Sequence, residues 1–121
     1  MEKLVFDLED RLIDFALRVD ELIEALPNTR LANHIANQLV RACTSPALNY
    51  GEAQSAESTR DFVHKLKVIL KELRETRVCL KIIIKKPLLH KSEVQDTLDE
   101  NNQLIAIFLK SIETAKKNIN A

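Results

Sequence analysis

Residues 58–87 read STRDFVHKLKVILKELRETRVCLKIIIKKP, and this stretch decides the fold. Phe62, Leu66, Ile69, Leu73, Thr76, Leu80 and Ile83 recur at spacings of three and four. That period places them on one face of a helix, not on alternate faces of a strand. Ser58 offers an oxygen to the orphan N–H groups of the first turn, with Asp61 three residues on as a shorter form of the usual glutamate. Pro87 ends the run, because it has no N–H to donate and its ring obstructs the preceding turn.

The same grammar extends to both sides. A first helix over residues 4–26 carries the seam Val5, Leu8, Leu12, Phe15, Val19, Leu22 and Leu26, and Pro27 and Asn28 break it. Asn28 or Thr29 caps a second helix that starts near Arg30, turns Leu31, Ile35, Leu39 and Ala42 inward, and runs to about Gln54. Pro46 lies inside that pattern, so a kink is expected. Ser92 with Gln95 predicts a capping box for a fourth helix, whose seam is Val94, Leu98, Asn101, Ile105, Phe108, Ile112, Ala115 and Ile119. No segment alternates with period two over strand length. Short connections between long helices favour antiparallel neighbours. The expected fold is therefore all-α: an up-down-up-down antiparallel four-helix bundle, its second helix kinked at Pro46, forming one domain over residues 1–121.

Composition fits a folded protein with a real core, at 45% apolar and 30% charged residues. No apolar run approaches the ~20 residues of a membrane span. The opening residues are acidic where a signal peptide is basic and then apolar, which reads as a protein that is not exported. Cys43 and Cys79 stand alone on different helices, as small buried hydrophobes of a reduced, cytoplasmic protein. The 18 basic and 18 acidic residues cancel overall but not locally. Residues 1–26 carry a net charge of −5, and residues 58–86 carry +6. An acidic and a basic element in a neutral chain suggest mutual pairing, within or between chains.

The pattern leaves little room for catalysis. A di-iron bundle needs two Glu-x-x-His motifs pointing inward. Only His64 has an acid three residues earlier, Asp61, and that residue is accounted for as a helix cap. A phosphate loop, a nucleophile elbow and zinc-ligand spacing are all missing from the sequence. The expectation is a protein that is not an enzyme and holds no metal or cofactor.

Three surface features remain. Arg41, Ser45, Asn49 and Glu52 share one face of the second helix. A substrate site would need a base–nucleophile pair there, and none is evident, so the stripe reads as a structural polar network around Pro46, with Asn101 as a further register-setting member. Arg60, His64, Lys67, Lys71, Arg74, Lys81 and Lys85 form a basic ridge on the third helix, interrupted by Val78. Nucleic-acid phosphate is one partner for such a ridge, and a solvated face is the other reading. Lastly, Phe6, Ile13 and Leu17 make a second apolar ridge bordered by Asp10, Asp14, Asp20 and Glu24. Val68, Val78 and Ile82 lie off the third seam, bordered by Lys71, Arg74, Lys81 and Lys85. These strips are complementary. On different surfaces of one subunit they would make a head-to-tail contact that closes into a ring; otherwise they only widen the core stripes.

Residues 38–80 resemble the 23S rRNA intervening-sequence protein family. The matching residues are Arg41-Ala42, Ser45, Asn49 and Glu52, then Glu57-Ser58, Asp61-Phe62, His64-Lys65, Leu70-Lys71-Glu72 and Arg74-Glu75-Thr76. Two positions depart from the family pattern: the proline after Ser-x falls one residue early, at Pro46, and Ala53 stands where a glycine often follows the glutamate. The resemblance implies a short four-helix bundle assembling into a ring, a pentamer, and brings no enzymatic activity with it. The expected role is that of a cytoplasmic assembly or accessory protein whose partner is RNA or a protein. Some family members are encoded inside insertions in bacterial 23S rRNA genes. The family looks related to accessory proteins of diversity-generating retroelements, which are basic and bind nucleic acid and a reverse transcriptase. This chain differs from those basic relatives in being neutral.

Overall fold

The computed structural model describes residues 7–120. They form four helices and no strand: α1 (Leu8–Ala25), α2 (Arg30–Ala53), α3 (Thr59–Lys85) and α4 (Lys91–Asn120). α1 packs against α2 and α4, and α3 packs against the same two, so α1 and α3 form a diagonal of the bundle. Arg41 of α2 lies opposite Glu72 and Glu75 of α3, while Glu52 lies opposite Lys65. The pairing thus steps backward along α3 as it advances along α2.

Each helix start is built from local chemistry. Thr29 Oγ1 accepts the N–H of Ala32 at 3.2 Å, and Ser58 Oγ accepts that of Asp61 at 3.0 Å. These are the orphan donors that a helix cannot satisfy itself. Two starts differ from the sequence expectation. α1 begins at Leu8, not near residue 4, because Asp7 takes extended backbone and its carboxylate accepts the N–H of Asp10. The expected seam residue Val5 and ridge residue Phe6 lie outside the described residues. α4 is opened not by Ser92 and Gln95 but two residues earlier. His90 Nδ1 accepts the N–H of Ser92 at 3.2 Å, and Glu93 Oε1 accepts the N–H of His90 at 3.0 Å. This is the reciprocity of a capping box, with an imidazole nitrogen in place of a hydroxyl. Gln95 instead donates to Asp99.

The predicted seams of α1, α3 and α4 point inward. Phe15, Phe108, Leu12, Leu66, Leu73 and Leu80 are fully buried, each contributing about 1.5–3 kcal/mol relative to exposure. Tyr50 meets Phe108 edge-to-face across the other diagonal, with ring centroids 6.1 Å apart. On α2 the inward row is Ala32, Ile35, Leu39, Ala42 and Pro46. Leu31, expected inside, is on the surface, because it lies about 100° around the helix from Ala32. α2 runs through Pro46, which is itself buried.

Candidate functional site

The polar residues of α2 separate into three groups. Asn49 Nδ2 donates to the carbonyl and hydroxyl of Ser45, at 3.0 and 2.9 Å. It does not reach the Ala42 carbonyl, the one that Pro46 leaves without its helical donor. Arg41 turns to α3, where it bonds Glu72 at 2.9 Å and pairs with Glu75. Glu72 is buried, so the guanidinium lies over it as a half-open lid, and the two carboxylates, Glu72 foremost, raise the arginine's pKa further. Glu52 receives Lys65 Nζ at 2.7 Å, and that contact raises the lysine's pKa. Asn101 stands apart on α4: its amide donates to the Leu73 carbonyl at 3.1 Å, and its own Oδ1, fully buried, has no hydrogen-bond partner among the described residues.

Sequence reasoning missed Glu72. The signal was present, because Glu72 falls within the Ile69, Leu73, Thr76 row and so sits where an unpaired charge would be costly. Arg11 was missed too. It holds Glu100 of α4 at 2.7 and 2.9 Å, a two-pronged pair across the α1–α4 seam.

His34, His64 and His90 are all exposed, and His90 is engaged in the α4 cap. Asp61 accepts the N–H of Glu57. Among the described residues, no three histidine, cysteine, aspartate or glutamate side chains cluster to hold a metal ion. Cys43 and Cys79 are buried free thiols. Burial, with Asp20 adding to it, pushes Cys43 up to about 11, which leaves it a poor nucleophile.

The basic ridge of α3 is exposed throughout its length but divides between two hollows. Arg60, His64 and Lys67 line one of about 410 Å³ together with Lys116 of α4. The ridge continues along the same α3–α4 groove through Lys71 and Arg74, over Leu109 and again beside Lys116. Lys81 and Lys85 go elsewhere. With Lys86 they rim an apolar hollow of about 500 Å³ between α2 and α3, floored by Leu31, Val78 and Ile82.

The apolar ridges also take positions in space. Ile13 and Leu17 of α1 are 40% and 59% exposed, and Val78 of α3 is 55% exposed. Ile82 is half-buried. Asp10, Asp14, Asp20 and Glu24 are exposed around the α1 ridge. α1 and α3 are diagonal, so the two strips lie on helices that do not touch each other. Val40 and Leu48 on α2 are further exposed apolar side chains that periodicity alone did not single out. Among the described residues, no helix is long and apolar enough to cross a membrane.

No curated protein matches this chain. Among solved structures, the chain is similar to a protein of unknown function from the S23 ribosomal protein family of Bacteroides thetaiotaomicron VPI-5482. The two are 26% identical, with a TM-score of 0.81, covering 88% of this chain and 98% of that one. Four capped helices, one bundle core and a family model matching residues 7–110 lead to one assignment: the chain belongs to the 23S rRNA-intervening sequence protein family.

Proposed function

We propose that this protein is a non-catalytic, self-assembling bundle, an accessory or assembly factor of the cytoplasm that works as a closed ring of identical subunits. The family resemblance implies five of them. One observation carries this reading. Two exposed apolar surfaces with opposite charged rims lie on diagonal helices: Ile13 and Leu17 amid carboxylates, and the Leu31, Val78 and Ile82 hollow amid lysines. A contact between different patches of identical subunits is head-to-tail, and closure of such contacts gives a ring. Apolar burial supplies most of the energy, since exposed ion pairs add only about 0–1 kcal/mol each. The charges set orientation and disfavour a like-with-like twofold dimer.

Size exclusion with light scattering tests this. Ile82→Asp and Leu17→Asp each give folded monomers. Each variant keeps the surface that the other has lost, so mixing them gives a one-to-one dimer and nothing larger. A monomeric wild type, or an Ile82→Asp protein that stays oligomeric, defeats the proposal.

A second reading has its own support. The nucleic-acid-binding role of α3's outer face, through Arg60, Lys67, Lys71, Arg74, Lys81 and Lys85, is favoured by the lack of an ion-pair partner for any of these six among the described residues.

A further inference from the structure

We infer that the groove between α3 and α4 is a binding site for the sugar–phosphate backbone of a nucleic acid, and that Lys116 of α4 is one of its contacts. This deepens the second reading above and rests on it for the class of ligand. It departs from that reading in the site, which joins one flank of α3 to α4 and leaves out Lys81 and Lys85.

The acids of α3 are already engaged. The helix has only three: Asp61, Glu72 and Glu75. Glu72 and Glu75 face α2 and are held by Arg41, and Asp61 is turned to the backbone at the helix start. The α4 side of the helix is left with Arg60, Lys67, Lys71 and Arg74, none of them in an ion pair among the described residues. Across the groove, Lys116 is a cation as well, and the nearby Glu113 is engaged by Lys110. The result is a row of single-sign charge with an apolar floor that includes Leu70, Leu109 and Ile112.

Three features choose the ligand. Arg60 to Arg74 span about 21 Å along the helix and carry four cations on this side, spaced on average about 7 Å apart. Only a ligand with regularly repeated negative charge meets that row, and a nucleic acid carries such charge by constitution. No phenylalanine, tyrosine or tryptophan lines the groove, so the bases have no stacking platform beyond the single His64 imidazole and the backbone is what is recognised. The chain's net neutrality does not oppose this. The acidic α1 lies diagonally across the bundle from α3, roughly 14 Å between axes when neighbouring helices are about 10 Å apart, beyond the ~8 Å Debye length at physiological salt.

Fluorescence anisotropy with a labelled 20-nucleotide poly(U) RNA, an oligo(dT) of the same length and a polyglutamate peptide, each across a salt series, tests the site. The wild type binds both nucleic acids alike and the peptide more weakly. With about four phosphates neutralised, log K falls against log salt with a slope of about −3, and Lys116→Ala reduces that slope by roughly 0.7 to 1. Lys67→Glu with Lys116→Glu weakens binding about tenfold or more at low salt and leaves the oligomeric state unchanged. Lys81→Glu with Lys85→Glu changes binding by less than about twofold. If the Lys81 and Lys85 pair matters as much as the groove pair, the groove assignment fails while the nucleic-acid reading stands. If neither nucleic acid binds even at low salt, both fail. If polyglutamate binds as tightly as RNA, the groove takes acidic protein and the inference is overturned.

Discussion

α3 presents opposite chemistry to its two neighbours. Toward α2 it turns Glu72, Glu75 and Lys65, and α2 answers with Arg41 and Glu52, so the charges on that flank are matched. Toward α4 it turns Leu66, Leu70 and Leu73 below and only cations above, and α4 answers with apolar side chains, one amide and another cation. The difference shows what a matched flank does for an unmatched one. Two of the three acids of α3 are held by Arg41 on the α2 side, and among the described residues the cations on the α4 side have no ion-pair partner. Charge at that groove is then available to an external anion, and charge at the α2 flank is not.

The interior of the α3–α4 flank offers the largest test. Asn101 there is buried and its Oδ1 is orphaned. Asn101→Asp places an anion beside no cation and is expected to cost about 3–5 kcal/mol at neutral pH, with recovery as acid protonates it. Asn101→Leu is expected to change stability by less than about 1.5 kcal/mol, since it removes an unsatisfied group of similar size. Thermal melts at two pH values decide. An Asn101→Asp protein as stable as the wild type would mean that a cation reaches into this flank.

The matched flank offers the next test. Arg41→Ala strands the buried Glu72 and is expected to lower the melting temperature clearly, and adding Glu72→Gln should restore much of the loss. A melt of Arg41→Ala that overlays the wild type would show that the pair is ornamental. Away from α3, Cys43 gives an alkaline signature. Its thiol sits at about 11 in the fold against an ordinary 9.0. The fold holds the proton longer than the unfolded chain does. This contribution to stability is therefore complete below pH 9 and is lost as pH rises toward and through 11. Cys43→Ala is expected to flatten that decline in a series of denaturant melts. The smallest effect belongs to Lys65→Ala. Its partner Glu52 is exposed, and the melting curve should not move.

The fold is legible in the sequence where the governing interactions are short-ranged along the chain. The α3 seam of Leu66, Ile69, Leu73, Thr76, Leu80 and Ile83 is buried as its spacing predicts, and Thr29 and Ser58 cap as their hydroxyls allow. The failures have specific causes. Leu31 and Ala32 are neighbours in sequence, and only the angle at which α2 meets the core chooses between them. The sequence favours Ser92 over His90 as the cap because hydroxyls are the usual capping acceptors, yet the imidazole two residues earlier takes the role. The polar stripe of Arg41, Ser45, Asn49 and Glu52 shares a helix face, yet its members find partners on different elements.

The amino-acid sequence by itself determined four helices, most of the residues they bury and the separation of an acidic first helix from a basic third. Period, capping and segment charge depend on residues a few positions apart, and they can be read without knowing what the chain packs against. Only the tertiary structure decided that Arg41 reaches across to Glu72 and Glu75 of α3. The same is true of the basic ridge, which divides between a groove shared with Lys116 and an apolar hollow shared with Leu31. Hydrogen bonds and ion pairs act over about 3–4 Å. Their partners are therefore set by the rotation and height of each helix against its neighbour, which no window of sequence contains.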